Sequence, residues 1–426
     1  MRYAAPVLLM LPVLLMQLAG CSSTAPGKNS AAVEKTAVAD IVAAAKIDAT
    51  QQDLDSFTQS AAFTVRWHRN IGDVGYTIDY SSSPITHPGE IRWHSRTDFG
   101  DMGNSTLQPA LLGDAIYVAN AKGKILRLKR DTGEQQWRVD TGITITGGVG
   151  AGDGLILIGG EKGEVAAYGE DGKRRWQTIV SSEVLGPPQV AEGIVVVRTG
   201  DGRITGLGAA DGKRKWLYEH SIPALAVRSN AGVTIRHGVI FAGFAGGRLA
   251  AIKLSTGNLN WEATLSEPRG TTELERISDI TSPPQADDEM VCAVSFQGRI
   301  GCFGATQGNL LWSRELSSDK GMEMMGKFIY VADAQGEILA MDKSSGSSVW
   351  KNGQLDKRRT VAPLALGEFL VAGDYRGYLY AMKREDGNLA ARLKTDGSPI
   401  LAAPLEMDGG LLVQTFDGGL YSVSLH

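Results

Sequence analysis

Asp131-Thr132-Gly133-Glu134-Gln135-Gln136-Trp137 sets the architecture of this chain, because the same turn keeps returning. Asp171-Gly172 leads to Trp176, Asp211-Gly212 to Trp216 and Thr256-Gly257 to Trp261. Gln307-Gly308 leads to Trp312 and Ser345-Gly346 to Trp350. A seventh copy, Asp386-Gly387, keeps the turn but carries Ala391 at the Trp position. Before each copy come an apolar run, a first Gly turn and a second apolar run. The first-turn glycines are Gly123, Gly163, Gly202, Gly247, Gly298, Gly336, Gly377 and Gly419, spaced by 38 to 51 residues. Six of the 8 Trp residues fall in this one register, which chance does not produce.

Runs such as Leu155-Ile156-Leu157-Ile158 and Ile194-Val195-Val196-Val197 are continuously apolar and rich in β-branched residues. Strands of that kind are buried on both faces. The short turns between them need positive φ, which Gly adopts without a Cβ clash. Each unit is therefore a small antiparallel sheet that needs cover on two sides, and only stacked neighbours provide it. Radial stacking of four-stranded sheets gives an all-β, eight-bladed β-propeller. Trp137, Trp176, Trp216, Trp261, Trp312 and Trp350 are expected between blades; their uniform spacing argues against ligand stacking at one site.

The eighth unit stops at His426, before a fourth strand. A segment ahead of the first unit must supply that strand and close the ring. Ile91-Arg92-Trp93-His94 is favoured, with Trp93 at nearly the right distance from Pro109; Phe63-Thr64-Val65-Arg66-Trp67 is the rival. The propeller is expected to span residues 63–426.

Residues 1–20 read as a secretory signal peptide: Arg2, an apolar stretch, then small residues. Leu18-Ala19-Gly20-Cys21 resembles the bacterial lipobox. The resemblance implies cleavage before Cys21 and lipid on its sulfur, with several acyl chains holding the membrane stably. Ser22, where Asp would favour the inner membrane, implies the outer membrane and its periplasmic face. Residues 21–62, poor in aromatics, read as a tether.

The net charge of −4 argues against a nucleic-acid partner. The basic triplets Lys173-Arg174-Arg175 and Lys213-Arg214-Lys215 precede Trp on outer strands, where charge discourages sheet-to-sheet pairing; Lys357-Arg358-Arg359 is the third. Three Cys rule out a disulfide scaffold. None of the 6 His has metal-ligand spacing, and no Gly-x-Ser-x-Gly is present. No catalytic, metal or cofactor-binding residue is assigned. Cys292 and Cys302 flank a hairpin. A loop centred on Gln297 sets them opposite one another; a two-residue turn sets them on opposite faces. A bridge and two buried thiols both remain open.

The eight Gly-x-x-x-Trp units are similar to the quinoprotein-alcohol-dehydrogenase type of propeller. With the lipobox and length, the chain resembles the BamB-type lipoproteins of the outer-membrane β-barrel assembly machinery. The resemblance implies a non-enzymatic scaffold that binds the POTRA region of the central barrel protein and assists folding and insertion of outer-membrane proteins. Unfolded clients are a further expected partner, through exposed strand edges. Two stretches lie where the Gly spacing swells: Pro223-Ala224-Leu225-Ala226-Val227-Arg228 and Thr272 to Thr281. The resemblance makes Leu225, Val227, Arg228 and Asp279 the partner-binding residues. The family's Asp-x-Asp is here Asp279-Ile280-Thr281, so the second carboxylate is missing. A quinone-dependent dehydrogenase and a cell-wall-binding propeller are the alternatives. The adjacent cysteines of the quinone enzymes are absent.

Overall fold

The apolar runs are buried along their length in strands such as Ala115–Ala119 and Met290–Val294. They form the two middle strands of four-stranded antiparallel sheets in the computed structural model, which describes residues 57–72, 75–77 and 104–426. Blades 1 to 7 span residues 110–140, 145–179, 189–219, 234–264, 285–315, 322–352 and 364–394. Blade 8 has three strands within 405–425 and takes its fourth, outermost strand from Phe63–Asn70.

That fourth strand corrects the sequence reading. Phe63 pairs with Leu425 and Asn70 with Gly419, so the closing Trp is Trp67 and not the favoured Trp93, which lies outside the described residues. His68 stacks on Tyr421 with ring centroids 4.3 Å apart. Trp67 joins a core shared by blades 8 and 1, with Ile116 and Leu128 against Met407, Leu412 and Leu420. Arg130 pairs with Asp408 at 3.0 Å, and the Gln414 amide donates to the Leu107 carbonyl at 2.5 Å. These contacts seal the ring. The signal peptide, Cys21, most of the tether and most of Ile71–Glu90 lie outside the described residues; Gly75–Thr77 pairs with Asn104–Thr106.

Why the turn reads Gly-x-x-x-Trp is visible at seven of the eight interfaces. The Trp216 indole lies on Gly257 of the next blade, where an added Cβ would sit 2.6 Å from the ring. The indole N–H donates to the Leu254 carbonyl at 2.8 Å. Gly257 also holds φ at 73°, so the position excludes a side chain twice over. The same pair recurs as Trp137 on Gly172, Trp176 on Gly212, Trp261 on Gly308, Trp312 on Gly346 and Trp350 on Gly387. Trp67 on Gly133 joins blade 8 to blade 1 in the same way. Blades 1 to 7 thus each receive a Trp at their second-turn Gly, and every blade but the seventh hands one onward.

Ala391 fits this rule. Blade 8 has no turn between its last two strands, because the outermost, Phe63–Asn70, comes from ahead of blade 1. No Gly waits for a Trp from blade 7. Instead Ser60 and Ala61 donate to the Ala390 carbonyl at 3.0 and 3.2 Å, and Ala61 packs beside Ala390 and Ala391. The first-turn reading needs a smaller correction. In blades 5 and 8 the positive φ falls one residue before the register glycine, on Gln297 (51°) and Gly418 (88°).

Cys292 and Cys302 are directly opposed across the hairpin centred on Gln297, and their sulfurs are bonded. The pairing closes a loop of sequence separation 10. By chain entropy such a link contributes about 3 kcal/mol. The double Cys292→Ala/Cys302→Ala variant is expected to lose about that much in urea denaturation.

Candidate docking site

The last strand of each blade ends against the turn joining its two middle strands: Thr141 donates to Gly123, Leu265 to Gly247 and Thr395 to Gly377. The blade-to-blade connections therefore share one face with those turns. On that face the two longest connections, 220–233 after blade 3 and 265–284 after blade 4, meet.

Residues 221–233 form no strand, so their backbone groups need other partners. Asp279 supplies the main one. Its carboxylate accepts the Val227 N–H at 2.6 Å through Oδ2 and the Gly246 N–H at 2.9 Å through Oδ1. Its carbonyl accepts the Phe296 N–H at 2.8 Å. One side chain thus ties the first loop to blade 4, and its backbone ties the second loop to blade 5. The Ser229 hydroxyl donates to the Thr281 carbonyl at 2.9 Å, a second stitch. Below them the Arg198 guanidinium donates to the Ala231 carbonyl at 3.2 Å and lies over the Phe244 ring. Burial pulls its pKa down to about 10, opposed by the Asp279 charge, so it stays cationic at neutral pH.

The four predicted residues are brought together, in unequal positions. Leu225 is 41% exposed and points outward; Val227 is half-buried. Arg228 is paired with Glu183, while its Nε makes no hydrogen bond among the described residues. Asp279 is only 3% exposed and both its oxygens are engaged, so it shapes the face through the loop it holds rather than offering a free carboxylate. The sequence shows its charge but not its direction. Missed by the reading were Ile222, exposed beside Leu225, and Leu274, exposed on the second loop. A small cavity beneath the first loop is lined by Arg198, His220, Val227, Arg228 and Phe244.

Asp374 accepts N–H groups of Arg376 and Tyr378 and the Tyr380 hydroxyl, all within 2.9 Å, with Arg358 beside it. Arg358 belongs to the third basic triplet, which therefore sits between blades 6 and 7 and not on an outer strand. Glu323, on the first strand of blade 6, has its pKa pushed up to about 7, by burial first and then by Glu406, against Arg384. A carboxyl raised in this way costs nothing below the unfolded pKa near 4.5. Stability is then lost as pH rises, until the cost is complete above about 7. Glu323→Gln is expected to gain up to about 3 kcal/mol at pH 8 and almost nothing at pH 4, measured by denaturation at both.

These features define a class before a family: an interlocked eight-bladed propeller with its long loops stitched on one face. A quinohemoprotein alcohol dehydrogenase from Comamonas testosteroni shares the fold, with a TM-score of 0.64 at 13% identity over 85% of this chain and 76% of that one. The family model for the outer membrane protein assembly factor BamB matches residues 121–352. Over 318 residues the chain is 46% identical to the BamB of Nitrosomonas eutropha, covering 74% of this chain and 78% of that one. The crystal structure of BamB from Moraxella catarrhalis matches with a TM-score of 0.70 at 27% identity, over 75% of this chain and 96% of that one. The chain belongs to the BamB family of outer membrane protein assembly factors.

Proposed function

We propose that this chain is a non-enzymatic scaffold of the β-barrel assembly machinery that docks on the POTRA region of the central barrel protein. Lipid on Cys21 holds it to the periplasmic face of the outer membrane. From there it assists the folding and insertion of outer-membrane proteins. The observation that carries the docking reading is the pair of stitched loops. They hold Leu225 outward beside Ile222 on a backbone fixed by Asp279. A rigid loop that keeps apolar side chains in water gains by covering them against a partner. Arg228 adds a directional charge-assisted hydrogen bond at the rim. Unfolded clients are placed at the exposed outer strands, where main-chain pairing needs no particular sequence.

Co-purification tests the reading. The full-length lipoprotein with Leu225→Asp and Arg228→Glu is expected to lose the barrel protein on extraction while the propeller stays folded, its thermal transition still cooperative though lowered by loss of the Arg228–Glu183 pair. Undiminished retention would move the docking face elsewhere.

A further inference from the structure

Cys292 and Cys302 are completely buried, and the residues that bury them come from two blades. Val294, Ile300 and Trp312 belong to blade 5; Met322, Ile329, Val331 and Met341 belong to blade 6. A thiol must meet its oxidant to react, and rates of disulfide exchange follow access. In the closed ring neither sulfur is accessible. The hairpin that pairs them, from Met290–Gly304 to Val294–Ile300, is by contrast local in sequence. It can form before blade 6, which follows it in the chain, arrives to cover it.

We infer that the pair is oxidised on the uncovered blade 5 hairpin, before the ring closes, by a disulfide-carrying oxidoreductase. One thiolate attacks the donor's disulfide, forming a mixed disulfide and releasing one donor thiolate. The second cysteine then attacks the mixed disulfide, closing the 292–302 bond and expelling the donor as a dithiol. Two electrons pass to the donor and the two thiol protons leave with them. The chain is thus a client of periplasmic thiol oxidation before it serves assembly. Pairing is unambiguous: the chain has 3 Cys, and lipidation would occupy the sulfur of Cys21.

Order of addition tests this. Full-length protein is reduced in urea and returned to detergent micelles, with oxidised glutathione as the probe. The oxidant is added either at the start or after folding is complete, and bridging is read by maleimide mass-tagging after denaturation. Oxidation of the folded ring is expected to be at least about a hundredfold slower than that of the refolding chain, because it waits for opening. Equal rates in the two arms would overturn the inference. In cells, Cys292→Ser or Cys302→Ser leaves one sulfur to hold the donor. At least one variant is expected to show a reducible adduct on a non-reducing gel. Absence of an adduct from both would overturn the assignment of a protein donor.

Discussion

Replacing Trp216 by alanine is expected to cost about 3–5 kcal/mol, one of the largest effects of any single substitution in the ring. Three losses add. The indole is 8% exposed and removes roughly 150–250 Å² from water at the boundary of blades 3 and 4. Its N–H leaves the Leu254 carbonyl, bonded at 2.8 Å, without that donor. The turn at Gly257, shaped to accept the ring, has nothing to refill the space. Urea denaturation followed by intrinsic fluorescence of the remaining indoles measures the loss. Gly257→Ala approaches the same interface from the other side, with a strained φ and a Cβ driven into the indole. It is expected to destabilise as well. A cost below about 1 kcal/mol for Trp216→Ala would mean that the indoles do not lock the blades.

The second large effect concerns closure. Deleting residues 57–70 removes the outermost strand of blade 8, uncovers the edge of Gly419–Leu425 and vacates the seat on Gly133. Blades 1 and 8 then lose the core that joins them. The single cooperative transition is expected to be replaced by a broad one starting at lower temperature, with early proteolysis near both edges. Trp67→Ala should reproduce part of this loss. Trp93→Ala should change stability little, since Trp67 already fills the position a closing Trp takes. A larger loss at Trp93 than at Trp67 would contradict the assignment.

The eight units, the inter-blade Trp and the missing last strand were all legible, because a radial fold writes its period into the sequence. The choice between Trp93 and Trp67 was not. Spacing rules hold within a blade, where turns are short, whereas the closing strand is joined to blade 1 by a connection of unconstrained length. What selects Phe63–Asn70 is pairing with the far end of the chain, including His68 on Tyr421. The sequence showed Ala391 at the Trp position without its reason, which is that the outermost strand of blade 8 is Phe63–Asn70 and brings no second-turn Gly to receive a Trp. The cysteine pairing turned on the parity of one loop, set by the backbone at Gln297. At the docking face the sequence located the loops through the excess spacing. It did not reveal that Asp279 points inward, because direction depends on two N–H groups contributed by Val227 and Gly246.

The docking face stands or falls on what touches Leu225 in the cell. A photo-crosslinking residue at Leu225 is to be compared with one at Leu310, which is equally apolar and 54% exposed, but lies on the outer strand of blade 5. The prediction is a strong product with the periplasmic repeats of the barrel protein from Leu225 and none from Leu310. Products of equal yield from both positions, or none from Leu225 in cells where the ring is folded, would contradict it.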